Sequence, residues 1–121
     1  MTTFAIFGLE LTCLFAAIAE VESENGATSE NVYQISDEYI NDLNRIYTHH
    51  YPHKCKYDRL ASQCMMMDYW RYYAYRYSKR TGKPITYEVL ARIHNGGPLG
   101  AERVSTKKYW TKIKRVMERG K

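Results

Sequence analysis

Apolar residues recur along this chain at helical spacing, beginning near its N-terminus. Phe7, Leu11, Leu14 and Ile18 fall on one face of a helix that is expected over residues 3–23. Four more helices are predicted downstream. The second helix begins at Ser36 and ends before Pro52, and the third covers residues 57–79. The fourth is capped by Thr86 and stops at residues 95–98, and the fifth begins at Ser105 or Thr106.

The same spacing predicts which residues face the core. These are Tyr39, Ile40, Leu43 and Ile46, then Leu60, Cys64, Met67, Trp70 and Ala74, then Val89, Leu90 and Ile93, and finally Tyr109, Trp110, Ile113 and Val116. Between the first two helices, residues 24–29 predict a turn and residues 32–35 a short extended stretch. We therefore expect an all-α fold of about five helices in one domain over residues 1–121, with an irregular or extended segment near residues 24–35.

The N-terminal segment has a second interpretation. Residues 4–19 are apolar apart from Glu10 and Thr12 and end in small residues, a pattern typical of a secretory signal. Three features favour a helix of the folded domain instead: no Lys or Arg precedes the apolar run, Glu10 lies inside it, and its helical spacing continues to Ser23. Synthesis in the cytoplasm without a cleaved signal is therefore favoured, with secretion as the alternative. No membrane span is expected, because crossing takes ~20 apolar residues.

Charge and cysteine content narrow the possible partners. The net charge of +5 favours anionic partners, and the basic residues gather in residues 107–121, whereas residues 21–42 are acidic. The three cysteines have no C-x-x-C spacing, so neither a disulfide framework nor a structural zinc site is predicted, although one bridge between Cys55 and Cys64 is possible. We expect a monomer that uses no cofactor and no metal.

Glu22 is the candidate for acid chemistry. It lies at the C-terminal end of an apolar helix, where the helix dipole and apolar neighbours both disfavour ionisation and should raise its pKa. A carboxylic acid that stays protonated near neutral pH can protonate the leaving oxygen of a glycosidic bond. The alternative is that Glu22 is an ordinary solvated residue at a helix end.

Three short motifs resemble those of a known family. Glu22-Ser23 at a helix end, then Tyr33-Gln34-Ile35, and later a helix that ends in Asn95-Gly96-Gly97-Pro98 resemble the lysozyme-like superfamily. The match is to goose-type lysozymes and soluble lytic transglycosylases of the small bacterial or phage type. Residues 91–116 are also similar to the C-terminal part of invertebrate-type lysozymes, which are rich in cysteine, unlike this chain.

The resemblance implies roles for individual residues. Glu22 would be the general acid and then the base, acting on bacterial peptidoglycan glycan strands. The residues that would border the sugar groove are Gln34, His94, Asn95, Gly96, Gly97, Tyr33 and Tyr109. These residues also have structural alternatives. Gln34 would satisfy backbone groups, His94 would suit a helix C-terminus, and Gly96 and Gly97 would stop a helix. The tyrosines would belong to the core, and for Tyr109 the core position is slightly favoured.

One departure from the family leaves the function open. The loop between Glu22 and Gln34 is short, and no second carboxylate can be assigned, since Glu24, Glu30 and Asp37 are all possible by sequence distance. A mechanism in which the substrate's own N-acetyl or 6-hydroxyl group replaces a protein nucleophile is therefore favoured. The alternatives are a non-catalytic peptidoglycan-binding module and, less favoured, a nucleic-acid binder using residues 69–80 and the lysine-rich end. Nucleic acid is not the expected partner.

Overall fold

A computed structural model describes residues 4–48 and 50–119. Across these ranges the chain is mostly helical, so the predicted all-α class is confirmed. The helices are α1 (Thr12–Ser23), α2 (Asp37–Ile46), α3 (Arg59–Thr81), α4 (Tyr87–Gly96) and α5 (Lys107–Arg119), with short 3-10 turns at His53–Tyr57, Gly100–Glu102 and Val104–Thr106. A two-stranded hairpin, β1 (Ala5–Ile6) and β2 (Leu9–Glu10), precedes α1.

The hairpin corrects the predicted first helix, which begins at Thr12 rather than at residue 3. Ile6 pairs with Leu9 across a two-residue loop, and both loop residues, Phe7 and Gly8, have positive φ angles (52° and 77°). A tight hairpin whose two central residues both have positive φ matches the right-handed twist of its strands. Leu11 is buried but only flanks α1. Residue 3 lies outside the described part of the chain.

The core forms between α1, α3, α4 and α5. Leu14, Phe15 and Ile18 of α1 are buried, and α1 packs against both α4 and α5. Trp70 of α3 is fully buried, stacks on Phe15 with ring centroids 5.8 Å apart, and donates its indole N–H to the carbonyl oxygen of Leu90 at 2.8 Å. Because the buried donor keeps a partner, Trp70 contributes apolar burial without a desolvated N–H.

Local signals explain why α2 and α4 begin where they do. Ser36 caps α2 by accepting the N–H of Tyr39 at 3.1 Å, and Thr86 caps α4 by accepting the N–H of Val89 at 3.3 Å. Each cap satisfies a backbone donor that the first helical turn leaves unpaired, which is worth about 1 kcal/mol. Both starts agree with the sequence predictions.

Three predicted details are wrong. Helix α3 begins at Arg59, so Leu60 lies in its first turn, outside the core, and is 58% exposed. Tyr57, predicted to open this helix, ends the preceding 3-10 turn. The stretch 32–35 is not extended throughout, because residues 32 and 33 form a turn closed by a hydrogen bond from the Gln34 N–H to the Asn31 carbonyl oxygen at 3.1 Å.

Candidate active site

Glu22 occupies the last turn of α1, and its side chain is only 18% exposed. The Tyr109 hydroxyl of α5 donates a hydrogen bond to Glu22 Oε2 at 3.0 Å. Removal from water raises the pKa of the Glu22 carboxyl, and this effect outweighs the opposing influence of the Tyr109 hydrogen bond and of the charge on Lys112. Glu22 is therefore a shielded acid held in place by a neighbouring helix.

His94 lies beside this carboxyl and is almost fully buried. Its Nε2 is 2.8 Å from the carbonyl oxygen of Tyr33, which can only accept, so Nε2 carries the proton and Nδ1 faces the Tyr39 hydroxyl at 3.5 Å. The distance from His94 Nε2 to Glu22 Oε2 is 3.8 Å. Burial lowers the pKa of His94 to about 4, against the opposing effect of the Tyr33 hydrogen bond, so the imidazole is neutral at pH 7.

An open groove of about 650 Å³ borders the buried His94. One wall is the outer face of α2 and the other is the C-terminal end of α4. The residues that line it are Ser36, Glu38, Tyr39, Asn41, Asp42, Arg45, Tyr69, Tyr73, His94, Asn95, Gly97 and Pro98. Polar side chains along an aromatic floor suit a polyhydroxylated ligand, because hydroxyls need hydrogen-bond partners and sugar faces pack on rings.

The structure brings some of the predicted site residues together. His94, Asn95 and Gly97 line the groove, and Gly97 also ends α4 with a φ of +86°, which favours glycine. Gly96 is packed rather than open, since a Cβ placed there would lie 2.5 Å from Cγ2 of Thr106.

Gln34 and Tyr33 are placed differently from the predicted groove wall. The Tyr33 ring is 1% exposed and packs on Phe15 in the core, while its hydroxyl accepts a hydrogen bond from Gln63. Gln34 is exposed, and its side-chain amide donates to the Asn31 carbonyl oxygen at 2.8 Å. Its φ of +53° is unusual for a residue with a side chain and stores local strain.

Ser23 explains how the short loop after Glu22 is held. The Ser23 hydroxyl is buried, donates to the Val32 carbonyl oxygen at 2.7 Å and accepts the N–H of Gly26 at 2.9 Å. A single side chain thus ties the start of the loop to its end. Ser23 belongs to the Glu-Ser motif found in the sequence, but the sequence alone did not reveal that this serine holds the loop.

Arg92 is a second residue that sequence reasoning missed. It is buried in α4 and donates to Thr106 Oγ1 and to the Arg103 carbonyl oxygen, both at 2.8 Å, and to Glu88 at 2.7 Å. These bonds hold the segment after Gly97 against α4 and so fix the end of the groove. Because the charged guanidinium donates all of these hydrogen bonds, they are stronger than hydrogen bonds between neutral groups.

The carboxylates considered as catalytic partners are engaged elsewhere or exposed. Glu24 and Glu30 are exposed, and Asp37 pairs with Lys56 and with His53, both of which lower the pKa of Asp37. The groove instead contains Asp42, which was not predicted. Each oxygen of Asp42 accepts one hydrogen bond, Oδ1 from the guanidinium of Arg45 and Oδ2 from the hydroxyl of Tyr73.

Among residues 4–48 and 50–119, no group of three or more His, Cys, Asp or Glu side chains is arranged to hold a metal ion. The cysteines Cys13, Cys55 and Cys64 are free thiols. Over the same residues, every helix is too short or too polar to cross a bilayer.

The mostly helical fold is the one that the sequence predicted. Comparison with known proteins gives partial matches to lysozymes. The chain is 45% identical over 53 residues to a lysozyme of Magallana gigas, covering 44% of this chain and 35% of the relative. It is 43% identical over 44 residues to a lysozyme of Meretrix lusoria, covering 36% of each.

A third match is lysozyme 1 of Crassostrea virginica, 44% identical over 41 residues, or 34% of this chain and 22% of the relative. The chain thus spans about a third or less of the length of these curated relatives, and no family model matches it. The matches support the lysozyme-like resemblance and its invertebrate branch. The goose-type, transglycosylase, and bacterial or phage affinities stay predictions.

Proposed function

We propose that this protein binds bacterial peptidoglycan in the groove and cleaves the bond between N-acetylmuramic acid and N-acetylglucosamine, with Glu22 as general acid. The observation that carries the proposal is the setting of Glu22. Its carboxyl is largely removed from water, which raises its pKa, Tyr109 holds it, and the neutral His94 that it faces also lines the groove. Glycosidic cleavage needs a carboxylic acid that can donate its proton, and a raised pKa favours the protonated form.

In the proposed reaction the Glu22 carboxylic acid gives its proton to the glycosidic oxygen as the bond from that oxygen to the anomeric carbon breaks. The resulting carboxylate then acts as base and takes the proton of the attacking water or 6-hydroxyl, which restores the carboxylic acid. Because Asp42 is occupied by Arg45 and Tyr73, we favour stabilisation of the anomeric carbon by the substrate's own N-acetyl group, or capture by its 6-hydroxyl. Hydrolysis adds water, whereas capture by the 6-hydroxyl leaves an anhydro end.

The first prediction tests Glu22 directly. Glu22→Gln removes the transferable proton while keeping the side-chain shape, so release of soluble muropeptides from purified peptidoglycan should fall by about 100-fold or more. Glu20→Gln is the matched control, since Glu20 is an exposed glutamate on the same helix and should leave the rate unchanged. Equal rates for wild type and Glu22→Gln would refute the assignment. Mass spectrometry of the released ends separates hydrolysis from transglycosylation.

A second candidate function is a non-catalytic peptidoglycan-binding module. One observation favours it: Glu22 is absent from the described residues that line the groove, and His94 stands between the two. This function predicts that wild type sediments with peptidoglycan and releases no fragments. The pairing of Tyr109 with Glu22 would then be structural.

A further inference from the structure

The α2 wall of the groove carries charge at both ends. Glu38, Asn41, Asp42 and Arg45 are spaced so that they share one helical face, and all four line the groove. Glu38 and Arg45 are seven residues apart, which is about 10 Å along the helix axis. A ligand that lies along this wall therefore meets an acid at one end and a guanidinium at the other.

Arg45 combines exposure with a fixed position. Its side chain is 74% exposed, while that of Asp42 is 16% exposed. Nη2 of Arg45 donates to Asp42 Oδ1, and the Tyr73 hydroxyl donates to Asp42 Oδ2. Asp42 is therefore anchored to α3 and in turn orients Arg45, whose remaining N–H groups are left for a ligand in the groove. A guanidinium with several parallel donors matches a carboxylate better than it matches a neutral hydroxyl.

We infer that Arg45 is a specificity-determining residue that binds a carboxylate carried by the muramyl sugars of the substrate; the inference rests on the proposed function. In peptidoglycan every second sugar bears a lactyl ether that ends in a free carboxylate or continues into a stem peptide with its own carboxylates. A polymer of N-acetylglucosamine has neither. Contact with Arg45 would favour the muramyl polymer and fix which sugar occupies that end of the groove.

The test measures binding of three tetrasaccharides by calorimetry at low salt, using the full chain with Glu22→Gln so that the ligands persist. The ligands are an N-acetylglucosamine tetramer, a muramyl tetramer with free lactyl carboxylates, and the same muramyl tetramer with stem peptides. Arg45→Gln should weaken binding of at least one muramyl ligand by about five- to tenfold and leave the N-acetylglucosamine tetramer unaffected. Loss confined to one muramyl ligand identifies which carboxylate is bound.

Arg71→Gln is the matched control. Arg71 is also an exposed arginine (51%) paired three residues back, with Asp68 at 3.2 Å, but it does not line the groove, so no ligand should lose affinity. Equal weakening of all three ligands by Arg45→Gln, or unchanged affinity for both muramyl ligands, would overturn the inference while leaving the proposed function intact. If the parent chain binds none of the three, the proposed function fails and the inference fails with it.

Discussion

At the scale of single residues, two adjacent buried groups titrate in opposite senses. Burial raises the pKa of Glu22 and lowers that of His94, so both side chains favour their neutral forms inside the protein. A neutral imidazole 3.8 Å from the carboxyl adds no positive charge that would lower the pKa of the acid. The neutral His94 ring, which also borders the groove, therefore does not oppose the rise in the Glu22 pKa that burial causes.

The shift at His94 predicts loss of stability in acid. Above about pH 6.5 the histidine is neutral in both the folded and the unfolded chain. As the pH falls towards about 4, the unfolded chain takes up a proton that the buried ring cannot, so the free energy of unfolding should drop by about 3 kcal/mol. Urea unfolding between pH 7 and pH 4 measures this slope.

The variant His94→Gln should flatten that slope, whatever it does to stability at pH 7. His50→Gln, which removes an exposed histidine, should leave the slope in place. Glu22 acts in the opposite sense, because a raised carboxyl pKa makes the folded chain bind the extra proton and gain stability as the pH falls through that range. The same acid slope in His94→Gln as in wild type would contradict the prediction.

At the scale of elements, the loop after α4 depends on a close backbone approach. A Cβ on Gly100 would lie 2.0 Å from the carbonyl oxygen of Arg92 and 3.0 Å from Cα of Ile93. No side-chain rotation relieves a clash with backbone atoms, so the 3-10 turn would have to move away from α4. Such overpacking costs about 1–3 kcal/mol.

Gly100→Ala should therefore lower the free energy of unfolding by about 2 kcal/mol or more and also weaken glycan binding, because the moved turn no longer fixes the groove end at Gly97. Gly82→Ala is the comparison: its φ is +72° but no atom lies within 4 Å of the added Cβ, so it should cost about 1 kcal/mol with binding unchanged. Denaturant unfolding and calorimetry give the two readouts. A smaller loss of stability for Gly100→Ala than for Gly82→Ala would contradict this account.

The elements also show which signals in the sequence were sufficient to predict a helix. Helices α2 and α4 were predicted closely because Ser36 and Thr86 cap them and Gly97 stops α4. The hairpin was missed because its loop is Phe7-Gly8 rather than a common turn pair, and its apolar residues also fit helical spacing. Periodicity alone cannot separate two-residue strands from the start of a helix.

The candidate site was predictable only in part. Glu22, His94 and Asn95 were identified from motifs, but the Tyr109 donor lies 87 positions from Glu22 and the Tyr33 carbonyl lies 61 positions from His94. Such contacts depend on how α1, α4 and α5 pack, and no local pattern encodes them. For the same reason the Tyr33 ring was expected at the groove although it packs on Phe15.

At the scale of the whole molecule, the short helix α5 presents a face rich in exposed basic residues. The basic residues of α5 that are exposed are Lys107, Lys108, Lys112, Lys114, Arg115 and Arg119. Within residues 4–48 and 50–119 none of them forms an ion pair with an acidic side chain at 4 Å or less, whereas Arg80 pairs with Glu102. Unpaired charges on one face create a directional field that attracts an anionic polymer before contact.

If the basic face of α5 steers the protein to an anionic cell wall, the position of the charges should affect the rate of association more than the net charge does. Two triple variants lower the net charge equally: Gln at Lys107, Lys108 and Lys114 on α5, and Gln at the exposed lysines Lys54, Lys79 and Lys83 elsewhere. At low salt the α5 variant should associate with peptidoglycan about tenfold more slowly than wild type, and the second variant much less so. Near 1 M salt the Debye length is about 3 Å, so the difference should vanish. Equal slowing by both variants would mean that net charge alone, and not the α5 face, governs the approach to the wall.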